Sequence, residues 1–164
     1  MIIIKKHKKG LQATQKWFSS KVNTLDCFLI TAHKQVDFEI KASFFFIKKS
    51  FYTLHSDLTL GNEDILKKFN STIRNEIRRS EREGCVFNSS ETKENFIQLY
   101  NDFAEQRGIA GLSIEKLTEL KDNLVLTSTC IEGVLTAVHS YFVDYDLKKV
   151  RLLHSGTQRF SENL

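Results

Sequence analysis

The C-terminal part of the chain contains three consecutive runs of strand length, and they restrict its fold more than any other feature. The runs at 124–131, 134–143 and 150–154 are rich in β-branched, aromatic and other apolar residues. A two-residue turn that ends in glycine, Glu132-Gly133, separates the first two runs and is typical of a β-hairpin. The sequence therefore predicts a three-stranded antiparallel meander, which the rest of the chain must accommodate.

A long apolar stripe at helical spacing lies upstream of the meander. Asn62 can cap a helix whose first turn is acidic, and Gly84 is placed to end that helix. The spacing of the stripe predicts that its members face the core together. They are Ile65, Leu66, Phe69, Ile73 and Ile77.

Two further helices are predicted between this stripe and the meander. After a short strand at 85–87, apolar residues recur at helical spacing from Phe96 to Phe103. Ser113 can begin a shorter helix that continues to Lys121. This order of elements predicts a mixed α+β fold, in which helices flank a mostly antiparallel sheet.

The N-terminal third of the chain is its basic part. Residues 1–50 carry ten lysines and only three acidic residues, and we interpret 1–24 as a basic segment at the periphery of a single domain. Such lysines attract polyanions, although lysines of this kind more often belong simply to a solvated tail. Beyond this segment the sequence predicts strands at 27–32, 38–40, 43–47 and 51–54.

Length and composition favour one soluble domain. The chain has 164 residues, of which 41% are hydrophobic, and a formal net charge of +4. No apolar run reaches the roughly 20 residues that a membrane span requires, and the apolar stretch 1–4 is followed at once by lysines. We therefore expect a cytoplasmic protein without a membrane span.

Several classes of functional site have no support in the sequence. The cysteines Cys27, Cys85 and Cys130 form no Cys-x-x-Cys motif, and no two histidines stand four residues apart. We therefore expect no metal site. The chain also lacks glycine-rich phosphate loops and a Gly-x-Ser-x-Gly elbow, which disfavours nucleotide hydrolysis and α/β-hydrolase chemistry.

Three arginines on the first predicted helix form one candidate binding group. Arg74, Arg78 and Arg82 recur every four residues on one helix face, where guanidinium groups can hold a phosphate or a carboxylate. Glutamates interleave with them, so ordinary ion pairing on a solvated helix explains the same pattern.

The meander carries a second candidate group. A turn centred on Asp146 would place His139, Arg151 and Ser155 on one face of the sheet, and a one-residue slip in register would separate them. A histidine in such a group is a candidate general base, and an arginine can hold an anionic group. Most histidines in strands, however, are structural.

Five short motifs follow one another along the chain. They are Leu-x7-Arg-Asn-x-Ile-Arg-Arg-Ser-x3-Gly at 66–84, Phe-x2-Leu-Tyr-x2-Phe at 96–103, Leu-x-Leu-Thr at 124–127, His-x-Tyr at 139–141 and Val-Arg-Leu-Leu-His-Ser at 150–155. This succession resembles the GNAT superfamily of acyltransferases, specifically its FemAB-like branch. The resemblance covers about residues 50–160.

The resemblance implies an activity and the partners for it. A GNAT-like sheet is splayed near its middle, where an acyl donor inserts beside a strand edge. The donor is an acyl-CoA such as acetyl-CoA, or an aminoacyl-tRNA. Its acyl group passes by direct attack to an amine or hydroxyl of a cell-envelope or polysaccharide precursor, such as a sugar or a peptidoglycan-type precursor.

The same resemblance implies roles for individual residues. His139 becomes the catalytic base or the group that orients the acceptor. The other implied residues contact the acceptor, its phosphate or its sugar, or lie at the approach to the donor pyrophosphate. They are Arg74, Arg78, Tyr141 and Arg151 for the acceptor, and Ser155 and Arg159 for the donor.

The sequence departs from the GNAT pattern at its C-terminal end. Members of the family follow the strand at 150–155 with a donor-binding loop, a helix and a further strand, whereas this sequence ends at Leu164. We therefore expect a GNAT-like domain over 1–164 that is incomplete there, with an open sheet edge that favours oligomers. The alternatives are an inactive truncated remnant and a non-catalytic binding module whose basic surface contacts an anionic partner.

Overall fold

The computed structural model describes residues 1–8, 10–19, 21, 30–34 and 56–158. The strands predicted at 38–40, 43–47 and 51–54 lie outside these residues, as do Cys27 and Arg159. Of the strand predicted at 27–32, only the C-terminal end falls within them.

The described residues form an α+β arrangement of seven strands and four α-helices. In chain order the elements are β1 (Ile2–Lys8), β2 (Leu11–Trp17), β3 (Ile30–Lys34), α1 (Asn62–Lys68), α2 (Ser71–Arg82), β4 (Cys85–Asn88), α3 (Lys93–Gln106), α4 (Ile114–Thr118), a 3₁₀ turn (Lys121–Asn123), β5 (Leu124–Ile131), β6 (Val134–Asp144) and β7 (Lys149–Thr157).

The strands form two sheets. In the first, β2 pairs antiparallel with β1 and parallel with β3. The second is fully antiparallel and contains β4, β5, β6 and β7 in that order. The predicted meander is thus confirmed as β5, β6 and β7, with β4 added at one edge.

The helix predicted from Asn62 to Gly84 is in fact two helices. Asn70 interrupts it, because its side chain accepts a hydrogen bond from the backbone N–H of Ile73 at 2.9 Å and so caps α2. The N-cap of α1 is Gly61 and not Asn62. The predicted burial of the stripe is also wrong, since no residue of α1 or α2 is buried.

The larger hydrophobic core lies between α3 and one face of the four-stranded sheet. Its buried members are Phe96, Leu99, Tyr100, Ala104, Leu117, Leu126 and Val138. Gly156 of β7 approaches α3 so closely that a Cβ atom there would lie 3.3 Å from the Cα atom of Tyr100. One face of the four-stranded sheet therefore packs against α3.

A second buried cluster joins the two sheets. Ile4 of β1 and Phe18 pack on Phe142 of β6, and the rings of Phe18 and Phe142 are stacked with centroids 6.4 Å apart. The ammonium group of Met1 forms an ion pair with buried Asp144 at 2.7 Å. The described part of segment 1–24 is therefore packed on the larger sheet and is not a solvated tail.

Candidate functional site

A row of three polar side chains crosses the four-stranded sheet on adjacent strands. Thr127 of β5 pairs with His139 of β6, and His139 pairs with Ser155 of β7. Directly paired residues of an antiparallel sheet point to the same face. We call the face with this row the front face, and the face that packs against α3 the back face.

His139 and Ser155 are joined by a hydrogen bond. The Oγ atom of Ser155 lies 3.0 Å from Nδ1 of His139. When the ring proton is on Nε2, the Ser155 hydroxyl donates this bond and Nδ1 accepts it. Ser155 is exposed and His139 is half-buried, so the pair is open to solvent on the serine side.

The pKa of His139 is lowered because its burial disfavours the charged imidazolium. An unperturbed histidine titrates at about pH 6.5, so a lowered pKa leaves His139 neutral at pH 7. A neutral imidazole can accept a proton, which is the property that a general base requires.

Thr127 stands on the other side of His139 and is almost completely buried. Its side chain is 6% exposed, and its Oγ1 atom has no hydrogen-bond partner among the described residues. Buried hydroxyl groups are usually hydrogen-bonded, because an unmet one destabilises the fold. The row therefore contains a hydroxyl group with unused hydrogen-bonding capacity next to the imidazole.

The back face carries a second serine–histidine pair, one residue along each strand. Ser140 Oγ lies 2.8 Å from Nδ1 of His154, and the His154 ring meets the ring of Tyr100 edge-on at 5.4 Å. Ser140 is fully buried. The pKa of His154 is lowered by burial and by the charge of Lys116. This pair connects the sheet to α3 and faces the core.

The register of β6 and β7 separates Arg151 from His139. Tyr141 pairs with Leu152, and Arg151 pairs with Phe142 on the back face. The prediction that Arg151 shares a face with His139 is therefore wrong, because the connection is centred between Asp146 and Leu147 and not on Asp146, whereas a bulge in β7 keeps Ser155 on the face of His139. Tyr141 does share the front face with His139, and their ring centroids are 6.4 Å apart.

Arg74 and Arg78 lie at the opposite side of the sheet. Arg74 is half-buried and its guanidinium donates a hydrogen bond to the carbonyl oxygen of Lys67 at 3.4 Å, whereas Arg78 is exposed. Their helix contacts β4, which is two strands away from β6 in the sheet. At about 4.8 Å per strand, the strand that their helix contacts is roughly 10 Å from the strand of His139.

A groove of about 440 Å³ lies between α3 and the end of β7. Its polar lining consists of carboxamides, one hydroxyl group and one carboxylate: Asn95, Gln98, Gln106, Gln158, Thr157 and Asp102. The described lining includes no lysine or arginine, so this groove offers no positive charge to a pyrophosphate. Arg159, which the resemblance implies at the approach to the donor pyrophosphate, lies outside the described residues.

The sequence-based interpretation missed Thr127 as a member of the row. The turn at Glu132-Gly133 alone would pair Thr127 with Val138, and a register shift between Thr129 and Cys130 moves the pairing to His139. The available signal was the run of three consecutive polar residues from Thr127 to Thr129, but it does not reveal a bulge.

The described residues contain neither a cluster of metal-binding side chains nor a membrane-spanning helix. No group of three or more metal-binding side chains is found there. No helix in the same part of the chain is long and apolar enough to cross a membrane.

Two comparisons with known proteins find no match for this chain. No protein-family model matches it, and no curated protein matches it at a significant level.

Proposed function

We propose that this chain is an acyltransferase of the GNAT type, and that His139 takes up the proton of the attacking group. One observation carries the proposal: a histidine that is neutral at pH 7 lies on an accessible sheet face, with its Nδ1 atom 3.0 Å from an exposed hydroxyl group. The positions of His139, Tyr141 and Ser155 on one face fit the roles that the GNAT resemblance implies for them.

The edge of β7 supports a place for the acyl donor. Within the described residues β7 pairs only with β6, so β7 is an edge strand of the described sheet. The bulge in β7 lies where the pairing passes from Tyr141–Leu152 to Ser140–His154, and it changes the direction of backbone groups close to Ser155. Backbone N–H groups at such an edge can hold the carbonyl oxygen of an acyl group as it gains negative charge.

The acceptor is then an amine or hydroxyl compound that approaches the front face beside Tyr141. A sugar or a peptidoglycan-type precursor fits this proposal. Arg151 lies on the other face and Arg74 and Arg78 lie beyond β4, so they would contact only a distant part of a large acceptor. The donor is acyl-CoA or aminoacyl-tRNA, and the experiment below distinguishes the two.

The test is a transfer assay with the whole chain. Acetyl-CoA and an aminoacyl-tRNA are each offered with amine and sugar acceptors, and product is followed by mass spectrometry and by release of free thiol or tRNA. We expect the His139→Gln variant to lose transfer by a factor of about 100 or more, because glutamine has no basic nitrogen. His7→Gln is the matched control, since His7 is exposed on β1 in the other sheet.

Each part of the proposal can be contradicted separately. The absence of transfer with either donor class would contradict the acyltransferase function and support the binding-module alternative. Equal transfer by the wild type and His139→Gln would contradict the role of His139 as the base. Lys5 and His7 are exposed on the same face of β1, and binding of polyanions to that face would weaken steeply as salt increases.

A further inference from the structure

We propose that Ser155 is a nucleophile that accepts the acyl group and forms an acyl-enzyme intermediate, with His139 as its base. The physiological donor in this inference rests on the proposed acyltransferase function, but the chemistry of Ser155 can be tested without that donor. The direct attack that the GNAT resemblance implies would become two successive transfers.

The contacts of Ser155 support this role. Its hydroxyl oxygen lies 3.0 Å from Nδ1 of His139, which is within the distance that activates a serine by an adjacent base. The residue is exposed on a strand that has no outer partner among the described residues. An acyl donor can therefore approach Oγ from solvent, and the pairing of β6 with β5 and β7 holds His139 in the sheet.

The two serine–histidine pairs of the sheet have similar hydrogen bonds and differ in their accessibility to a donor molecule. Ser140 and His154 have an even shorter contact of 2.8 Å, but Ser140 is fully buried and His154 packs against Tyr100. A donor molecule cannot reach that hydroxyl group. The chain thus contains an internal control with the same two functional groups in an inaccessible position.

The proposed step balances in atoms and protons. Ser155 Oγ attacks the carbonyl carbon of an activated ester or thioester, the new O–C bond forms, and the serine proton moves to Nδ1 of His139. The C–O or C–S bond to the leaving group then breaks, and the imidazolium returns the proton to the departing oxygen or sulfur atom. In the second transfer an acceptor amine, hydroxyl or water attacks the carbonyl carbon of the acyl-serine and gives a proton to His139. The ester bond to Ser155 then breaks, and Oγ leaves with that proton from His139.

The experiment uses p-nitrophenyl acetate, an activated ester that requires no coenzyme A site. We expect a burst of p-nitrophenolate that approaches one equivalent per chain, and one acetyl group on the peptide that contains Ser155. Ser155→Ala should remove both signals. His139→Gln should slow the burst by a factor of about 100 or more, and the matched control Ser140→Ala should retain the burst in its folded fraction.

A second variant tests the pair if the acyl-serine hydrolyses too quickly to accumulate. Ser155→Cys places a thiol beside Nδ1, and its alkylation by iodoacetamide should be faster than in the double variant that also carries His139→Gln. Alkylation at the same rate in both proteins would overturn the activation of residue 155 by His139.

The remaining outcomes separate this inference from the proposed function. A burst that persists in Ser155→Ala, or acetylation confined to lysines, overturns the nucleophile even if acetyl-CoA transfer is intact. Conversely, acetylation of Ser155 by the aryl ester without transfer from either physiological donor supports the nucleophile and contradicts the acyltransferase function.

Discussion

The two faces of the four-stranded sheet contain the same pair of functional groups in different surroundings. On the front face His139 and Ser155 are open to solvent on the serine side, and on the back face Ser140 and His154 lie against α3. Each pair uses Oγ and Nδ1, and each joins β6 to β7. This comparison indicates that accessibility, and not the hydrogen bond itself, distinguishes a candidate catalytic pair from a structural one.

The largest expected effect is on activity, from the front pair. We expect His139→Gln to reduce acyl transfer by a factor of about 100 to 10,000, the range that general-base catalysis usually contributes. Thermal unfolding should change little, because His139 is only half-buried. If His139→Gln lost thermal stability together with activity, the front pair would be structural like the back pair.

The back pair should show the opposite pattern. His154→Ala leaves the fully buried Ser140 hydroxyl without its partner and removes the ring that packs on Tyr100. We expect a loss of about 1–3 kcal/mol in the free energy of unfolding, measured by urea denaturation, with transfer activity per folded molecule retained. A stable His154→Ala protein with no activity would contradict this assignment.

The pH dependence of stability should also distinguish the back pair. Burial and the charge of Lys116 lower the pKa of His154 in the folded state, so the unfolded chain binds a proton more readily. This contribution is fully present above pH of about 6.5, the usual pKa of an unfolded histidine, and is lost as pH falls below that value. We expect the unfolding free energy of His154→Gln to vary less than that of the wild type between pH 7 and pH 5.

The pH dependence of the unfolding free energy should also be measured for His139→Gln, because burial lowers the pKa of His139 as well. The two variants together separate the contribution of the back pair from that of the front pair. Among the described residues, the groups that face His154 are Ser140, Tyr100 and Lys116. An unchanged pH dependence in His154→Gln would contradict the prediction.

The smallest expected effect comes from Thr127. Thr127→Val replaces a buried hydroxyl group that has no partner among the described residues with a methyl group of similar size. We expect the free energy of unfolding to stay within about 1 kcal/mol of the wild type or to rise. A clear loss of stability would show that the hydroxyl group is hydrogen-bonded in solution.

The order of elements in the C-terminal half could be predicted because its signals are local. Alternation and the turn at Glu132-Gly133 predicted the meander, and apolar spacing predicted α3. Asn70 was missed as a helix break because the apolar stripe continues through it. An asparagine cap competes with helix continuation, and periodicity alone does not detect this competition.

The candidate site depended on features that are not local. The sharing of one face by His139 and Ser155 was predicted, but the position of Arg151 was not, because the connection is centred between Asp146 and Leu147 and not on Asp146. The extra residue in β7 then places Ser155 on the face of His139. Thr127 was missed because an extra residue in β6 shifts its pairing from Val138 to His139. The packing of β1 on Phe142 depends on contacts across more than 100 residues, which no short pattern reports.

The bulge in β7 also decides what a molecule lying along that strand would touch. Beyond the bulge, the odd-numbered Ser155 and Thr157 face the front, whereas before it the even-numbered Val150 and Leu152 do. Leu152 is 49% exposed and Val150 is 42% exposed. The front surface of β7 thus changes from apolar side chains to hydroxyl groups within a few residues. Ser155 lies at the boundary between an apolar half and a polar half of the same strand.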